Sequence, residues 1–224
     1  MTTEPRTADH HLDQDDVLPT PGGWTTVGDL VSNHGYSAQE VTELLRQAAR
    51  DGLVVDGAFL KGGGPGSWFR PSRATITDHA IVSGRTGSGK TTSLRAFWRA
   101  EDAAPDVESW VCDVSGSLDA ATAADRTRYA AGLPDSITLL DGARDLISDR
   151  SRQGFRAGDG PVVIVSVDDA VPQLCDDPQA VHLLEGLALL GRPLGVVPRV
   201  TVSSNRISDL RSGLLWRYLN YPNS

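Results

Sequence analysis

The sequence contains few of the residues that stabilise small secreted or metal-binding proteins. Its only cysteines, Cys112 and Cys175, lie far apart and have no histidine at ligand spacing, so we expect neither a disulfide framework nor a zinc site. No stretch reaches the ~20 apolar residues that a membrane-spanning helix needs. The polar N-terminus also lacks the apolar core of a secretory signal. These absences predict a cytoplasmic protein.

Positive charge is scarce as well. Lys and Arg together number 21 against 29 Asp and Glu, and the net charge is −8. This balance argues against general electrostatic capture of nucleic acid, although a local basic patch is compatible with it. Only Lys61 and Lys90 are lysines, which draws attention to both positions. The 224 residues, 39% of them hydrophobic, are enough to bury a substantial core.

Composition divides the chain into four parts. Residues 1–20 have five acids against one arginine and no apolar periodicity, so we predict a disordered acidic tail. Residues 21–60 are predicted to form a small helical unit, and residues 61–73 a Gly/Pro-rich linker. Residues 74–224 remain for the main domain. The net charge is −4 in residues 1–20, zero in 21–73 and −4 in 74–224, so neither predicted folded unit is basic.

The unit at residues 21–60 has the element order of a winged helix-turn-helix. Residues 25–31 show helical spacing, and Ser37 with Glu40 forms a capping box before a second amphipathic segment. Gly52 is placed to end that helix, and Asp56-Gly57 lies between two short apolar runs at 53–55 and 58–60, which predicts a tight hairpin.

Two functions of this unit stay open. A winged-helix-like unit can bind DNA, or it can serve as a protein-contact or packing module. The charges of its second helix cancel, because Glu40 and Glu43 oppose Arg46 and Arg50. A basic face, which DNA binding by this helix would favour, is therefore missing.

Apolar runs and helical periodicity alternate through residues 74–224. This alternation predicts a mostly parallel α/β sheet. The predicted strands are residues 80–83, 109–112, 137–140, 162–167 and 199–203, and the predicted helices are residues 90–99, 143–153 and 178–191.

The strongest motif follows the first of these strands. It fits the phosphate-loop pattern G-x-x-x-x-G-K-S/T between a strand and a helix. Backbone N–H groups and the helix N-terminus would then hold phosphate. Lys90 would reach the β- and γ-phosphates, and the Thr91 hydroxyl would ligate Mg²⁺. The predicted nucleotide-binding residues are Gly84, Arg85, Thr86, Gly87, Ser88, Gly89, Lys90, Thr91 and Thr92.

A pair of acids ends the apolar run at 162–167. Asp168 stands where a carboxylate can hold Mg²⁺ beside a phosphate loop. Asp169 follows it, at the position where many ATPases have a glutamate that orients the attacking water. We therefore predict Thr91 and Asp168 as metal ligands, and Asp169 as a candidate catalytic base.

Several blocks of residues 79–212 resemble the FtsK/SpoIIIE-type DNA translocases, in particular their short relatives in actinobacterial conjugative elements. The region 79–212, in which these blocks lie, makes up about 60% of the chain. The blocks are His79 to Thr91, Trp110 to Asp113 with the turn Val114-Ser115-Gly116, Val163 to Asp169, Leu189 to Val196, and Val200 to Arg206.

This resemblance implies a RecA-like P-loop ATPase core that forms a homo-oligomeric ring and moves double-stranded DNA with ATP and Mg²⁺. It places Asn205 where a polar residue senses the γ-phosphate, alongside Lys90, Asp168 and Asp169 in the catalytic set. Arg206 and Arg192 become candidates for phosphate or neighbour contacts, because ring ATPases use an arginine from the next subunit.

Three functions follow as alternatives. The first is an ATP-hydrolysing DNA translocase in plasmid or conjugative-element transfer. The second is a nucleotide-dependent switch with weak or no hydrolysis, since Asp169 and Asn205 are shorter than the family's Glu and Gln and the chain stops soon after Asn205. The third is a small-molecule kinase, with the arginine-rich residues 150–156 as a lid.

Overall fold

The structure, a computed structural model, describes residues 17–34, 36–60, 63–78, 80–168 and 174–203. These residues form a small antiparallel sheet followed by a larger parallel one. No helix in the described ranges is both long and apolar enough to span a membrane. Neither cysteine forms a disulfide bond.

The N-terminal unit combines three short strands with two helices. Its sheet has the order β1-β3-β2, and both pairings are antiparallel. The elements are β1 (Trp24–Thr26), α1 (Val27–His34), α2 (Ala38–Arg50), β2 (Val55–Asp56), a 3₁₀ turn (Gly57–Phe59) and β3 (Ser67–Phe69).

The capping box at the start of α2 is confirmed. The Glu40 N–H donates to the Ser37 hydroxyl, and the Ser37 N–H donates back to the Glu40 carboxylate. Gly52 has a φ of 69° just after the helix, in the left-handed region that glycine adopts without strain. The sequence therefore located both ends of α2 correctly.

Three expectations for the N-terminal region were wrong. No hairpin forms across Asp56-Gly57, because residues 57–59 make a 3₁₀ turn and β2 pairs with β3 instead. Residues 67–69 complete this sheet, although they lie in the expected linker 61–73. Val17, expected in the tail, is fully buried against the helices of the unit. Residues 1–16 lie outside the described residues, so the disorder of the tail stays a prediction.

In the described part of the main domain, five strands form a parallel sheet with the order β4-β8-β7-β5-β6. This α/β architecture confirms the predicted fold class. The strands are β4 (Ala80–Gly84), β5 (Val107–Asp113), β6 (Arg128–Ala131), β7 (Val162–Asp168) and β8 (Val196–Ser203). The helices are α3 (Arg73–Ile76), α4 (Lys90–Asp102), α5 (Ala120–Ala124), α6 (Leu133–Arg152) and α7 (Pro178–Leu190), and a 3₁₀ turn (Arg192–Leu194) precedes β8.

One strand prediction in this domain was wrong. Residues 137–140 belong to α6, whose buried Leu139, Leu140, Ala143 and Ile147 recur at helical spacing. A four-residue apolar run does not by itself distinguish a strand from a buried helix turn. The edge strand β6 was missed because most of its residues are exposed or half-buried and leave no apolar run.

Helices cover both faces of the parallel sheet. All seven residues of β7 are buried, as its continuous apolar run predicts for a central parallel strand. On one face, Leu94, Phe97 and Trp98 of α4 share a core with Val55 and Phe69 of the N-terminal unit. The other face packs against α6 and α7. The N-terminal unit and the parallel sheet therefore meet across α4.

A buried ion pair fastens α4 to β8. The Arg199 guanidinium on β8 binds the Glu101 carboxylate near the end of α4, and their side chains are 0% and 1% exposed. Glu101 also accepts a hydrogen bond from the Ser109 hydroxyl at 2.5 Å, and Arg199 donates to the Ile76 carbonyl at 3.2 Å. This pair fixes the far end of α4 relative to the sheet.

We expect Glu101→Ala to lower the free energy of unfolding by about 3–5 kcal/mol, because it leaves Arg199 charged, buried and without its counterion. Urea denaturation of the purified protein measures the loss. The control is Asp145→Ala, which removes an ion pair whose side chains are 64% and 51% exposed and should cost less than about 1 kcal/mol. Equal losses in the two variants would contradict the assignment of Glu101 to the core.

Candidate nucleotide-binding site

The phosphate loop connects β4 to α4, as predicted. Gly87 and Gly89 have φ angles of 76° and 98°, which a residue with a Cβ adopts only with strain. The Ser88 N–H donates to the Arg85 carbonyl at 3.0 Å and closes the loop into a turn. Helix α4 then begins at Lys90, so its unpaired N–H groups and positive dipole end lie at the loop.

Lys90 is held against this loop. Its residue is 8% exposed, and its Nζ donates to the Arg85 carbonyl at 3.3 Å. The ammonium group is therefore folded over the turn. A lysine in this place can exchange a backbone carbonyl for phosphate oxygens without a rearrangement of α4.

Asp168 lies at the carboxyl end of β7 and joins two strands to the loop. Its Oδ2 accepts a hydrogen bond from the Thr91 hydroxyl at 2.8 Å, and its Oδ1 accepts one from the Thr201 hydroxyl at 2.7 Å. The residue is 2% exposed. Thr91 and Asp168, which are 77 positions apart in the chain, thus meet as the sequence motifs require.

This pair of oxygen ligands fits Mg²⁺. Carboxylate and hydroxyl oxygens are the hard donors that Mg²⁺ prefers, and the ion usually takes one or two of them besides water and substrate phosphates. Within the described ranges, no group of three or more His, Cys, Asp and Glu side chains could hold a metal. The donor set at Thr91 and Asp168 therefore suits a metal shared with a phosphate ligand.

Thr201 was missed by the sequence analysis. It lies on β8, which separates β4 from β7, and it is fully buried. A threonine in an apolar strand carries no signal of its own, since threonine is common in strands. Only the strand order reveals that its hydroxyl reaches the carboxylate of Asp168.

Two predicted catalytic residues, Asp169 and Asn205, lie outside the described residues, as does Arg206. The last described residue before Asn205 is Ser203, which pairs with Gly84 at the start of the phosphate loop. The roles of Asp169 and Asn205 are therefore taken up as proposals below.

Asp113 ends β5 and lies in register with Asp168. Burial alone would raise the pKa of Asp113, but hydrogen bonds from the Leu118 N–H, the Tyr129 hydroxyl and the Ser115 hydroxyl hold it below its usual range. Burial and the hydrogen bond to the Asp113 carboxylate raise the pKa of Tyr129 to about 12. The Asp113 carboxylate thus anchors the turn after β5 through hydrogen bonds from that turn and from Tyr129 on β6.

Two arginines singled out in the sequence have structural partners. Arg150, expected in a kinase-like lid, is 7% exposed and donates to the carbonyls of Leu194, Gly195 and Pro161. Arg150 therefore holds the turn before β8, and the prediction that it belongs to a substrate lid was wrong. Arg192 forms an ion pair with Asp78 at 2.7 Å.

Neither a family model nor a curated protein matches the sequence. Solved structures do match the fold. A protein described as an ATPase is 19% identical with a TM-score of 0.54, and the match covers 81% of this chain and 78% of the other. The conjugation coupling protein TcpA of pCW3, solved with ATPγS, is 16% identical with a TM-score of 0.53.

The core has a P-loop ATPase fold. A third match, to ATPases 2 and 3 of EssC from Geobacillus thermodenitrificans, is 16% identical with a TM-score of 0.50. At the level of the fold, these neighbours support the relationship to FtsK/SpoIIIE-type ATPases that the motifs indicate. The matched part spans 65% of this chain but 48% of TcpA, and 68% of this chain but 32% of the EssC chain.

We expect Thr201→Val to weaken Mg²⁺-dependent nucleotide binding, because it removes the hydroxyl that orients Asp168 and keeps the shape of the side chain. The Mg²⁺ concentration for half-maximal ATP binding should rise about tenfold or more, as for other partners of metal-binding carboxylates. A Mg²⁺ titration at constant ATP measures it. Thr138→Val is the control, because that hydroxyl bonds to Pro134 on the exposed side of α6. An identical Mg²⁺ requirement in both variants would contradict a role for Thr201.

Proposed function

We propose that this protein binds ATP with Mg²⁺ at the phosphate loop, hydrolyses it, and acts on double-stranded DNA in plasmid or conjugative-element transfer. The observation that carries the proposal is the hydrogen bond between Thr91 and Asp168 at 2.8 Å, directly beside Lys90. It brings together, at the carboxyl ends of β4 and β7 in one parallel sheet, the two side chains that we assign to the metal.

The phosphates occupy the loop formed by residues 84–91. Backbone N–H groups at the start of α4 donate to phosphate oxygens, and Lys90 leaves the Arg85 carbonyl for the β- and γ-phosphates. We assign Thr92, the next residue of α4, to the α-phosphate. Thr91 and Asp168 would hold Mg²⁺, which would neutralise negative charge on the phosphates.

Hydrolysis requires a group that orients water at the γ-phosphate. Asp169 follows the metal-binding Asp168 directly, and we assign it this task. Asn205, two residues after the strand position that pairs with Gly84, is assigned to sense the γ-phosphate, since its amide both donates and accepts hydrogen bonds.

Two observations support a role in DNA transfer. The likeness to the conjugation coupling protein TcpA and the winged-helix-like order of the N-terminal unit agree with a role in DNA transfer. In a ring, an arginine of the neighbouring subunit would complete each site. The contact to DNA must then arise from the assembled ring or a local cluster, because neither unit of the chain has a basic net charge.

The second candidate is a nucleotide-dependent switch whose N-terminal unit binds a partner. The exposed face of α2 favours it. Arg50 pairs with Glu43 at 2.8 Å and also donates to Gln47, so part of the positive charge on this helix is neutralised within the helix. In this alternative, ATP binds and turnover is near zero.

Lys90→Ala should abolish measurable ATP binding, because it removes the charge that holds the β- and γ-phosphates, and it should leave the fold intact. Calorimetric titration with ATP measures the binding, and circular dichroism checks the fold. Lys61→Ala is a matched control, since it removes the only other lysine in the chain. Unchanged ATP affinity in Lys90→Ala would show that the phosphate-loop assignment is wrong.

ATP turnover of the purified protein should rise when duplex DNA is added, and the rise should fade as salt is increased, because phosphate contacts weaken with salt. The assay measures phosphate release with and without DNA, alongside sizing of the assembly. Asp169→Asn should abolish the turnover while ATP still binds. Tight ATP binding with turnover near zero, with or without DNA, would favour the switch.

A further inference from the structure

A cavity of about 250 Å³ with polar and apolar lining residues lies between the N-terminal unit and the outer side of the phosphate loop. Ser88, Gly89 and Thr92 form the wall on the loop side, and α2 with the small sheet forms the opposite wall. We propose that this cavity receives the base and ribose of the nucleotide whose phosphates the loop holds. The proposal rests on the nucleotide binding proposed above and assigns the nucleoside subsite to the N-terminal unit.

The direction of the bound nucleotide follows from the positions of Thr91 and Asp168. Their hydrogen bond marks the end of the site where the metal and the γ-phosphate lie. Successive residues of a helix are rotated by about 100°, so Thr92 faces away from Asp168. The nucleoside, at the other end of the phosphate chain, therefore leaves the loop on the side of Thr92, where the cavity begins.

The volume of the cavity suits the nucleoside part of a nucleotide. Sites that bury a whole drug-sized molecule have volumes of about 300–1,000 Å³. A cavity of about 250 Å³ is smaller. It suits a base with its sugar, whose phosphates are bound outside the cavity in the adjacent loop.

The wall from the small sheet offers an aromatic surface beside a carboxylate. Asp56 and Trp68 lie directly opposite each other on β2 and β3, so their side chains share one face of the sheet. Oδ1 of Asp56 accepts the Ala58 N–H at 2.9 Å. Its Oδ2, which has no partner among the described residues, can accept a hydrogen bond from a ribose hydroxyl or from an exocyclic amine of the base. Trp68 lines the same wall. Its residue is 6% exposed, and the part of the ring that reaches the cavity offers a base an apolar contact.

The wall from α2 supplies positive charge. Arg46, Ala49 and Arg50 lie on one face of the helix, at the spacing that brings side chains together. Arg46 is exposed, makes no ion pair within the described residues, and lines the same cavity as Thr92. An unpaired guanidinium in this place suits the α-phosphate. In this arrangement, the nucleotide contacts both the N-terminal unit and the parallel sheet.

The test compares ATPγS with inorganic tripolyphosphate, each with Mg²⁺, by calorimetric titration of the full chain. The wild type should bind ATPγS more tightly, because tripolyphosphate lacks the nucleoside. Ala49→Phe places a large side chain in the cavity and should weaken ATPγS binding about tenfold or more, with tripolyphosphate binding unchanged. The matched control is Gln39→Phe, at an exposed position of α2 that does not line the cavity.

Each other outcome overturns the proposal. Equal wild-type affinities for the two ligands would leave the phosphate loop in place and remove the nucleoside subsite. The same conclusion follows if Ala49→Phe weakens both ligands equally, or neither. If the wild type binds neither ligand, the proposed nucleotide binding itself fails, and the cavity proposal fails with it.

A second readout uses the fluorescence of Trp68. Its Nε1 is buried with no hydrogen-bond partner among the described residues, so Trp68→Phe removes no hydrogen bond there and keeps an aromatic ring. ATPγS should change the tryptophan fluorescence of the wild type, and Trp68→Phe should abolish most of that change. Trp110→Phe, a control at a buried position outside the cavity, should retain it. A full change in Trp68→Phe would overturn the proposal.

Discussion

The hydrogen bond from the Thr91 hydroxyl to the Asp168 carboxylate connects the two parts of the candidate site. One part comes from the phosphate loop and the other from a strand two positions away in the sheet. The strand between them, β8, supplies Thr201, which holds the second oxygen of the same carboxylate. An acidic side chain that is 2% exposed is thus aimed at the loop by two hydroxyl groups.

The buried pair of Glu101 and Arg199 has a complementary effect at the other end of α4. The phosphate loop orders the start of this helix, and the ion pair attaches its last turns to β8. Since breaking a buried ion pair is costly, α4 and β8 are expected to keep their relative position. Helix α4 and strand β8 are consequently connected in two places. The Glu101–Arg199 ion pair joins them directly, and Asp168 joins them through its hydrogen bonds with Thr91 and Thr201.

The N-terminal unit packs on the opposite side of α4 and shares a hydrophobic core with it through Val55 and Phe69. This packing places α2 and the small sheet beside the phosphate loop and creates the cavity there. A unit expected from its sequence to be separated by a linker is therefore part of the surroundings of the candidate site. Nucleotide binding in that cavity would involve both the N-terminal unit and the parallel sheet.

The sequence by itself determined the local features: the phosphate loop with Lys90 and Thr91, the central strand ending in Asp168, the capped helix α2 and the α/β fold class. Each depends on neighbouring residues or on a regular period. Tertiary structure alone decided the roles of Thr201, Glu101 and Arg199, the pairing of residues 67–69 in the small sheet, and the helical state of residues 137–140. These depend on strand order and packing between distant segments, which leave no periodic signal in the chain.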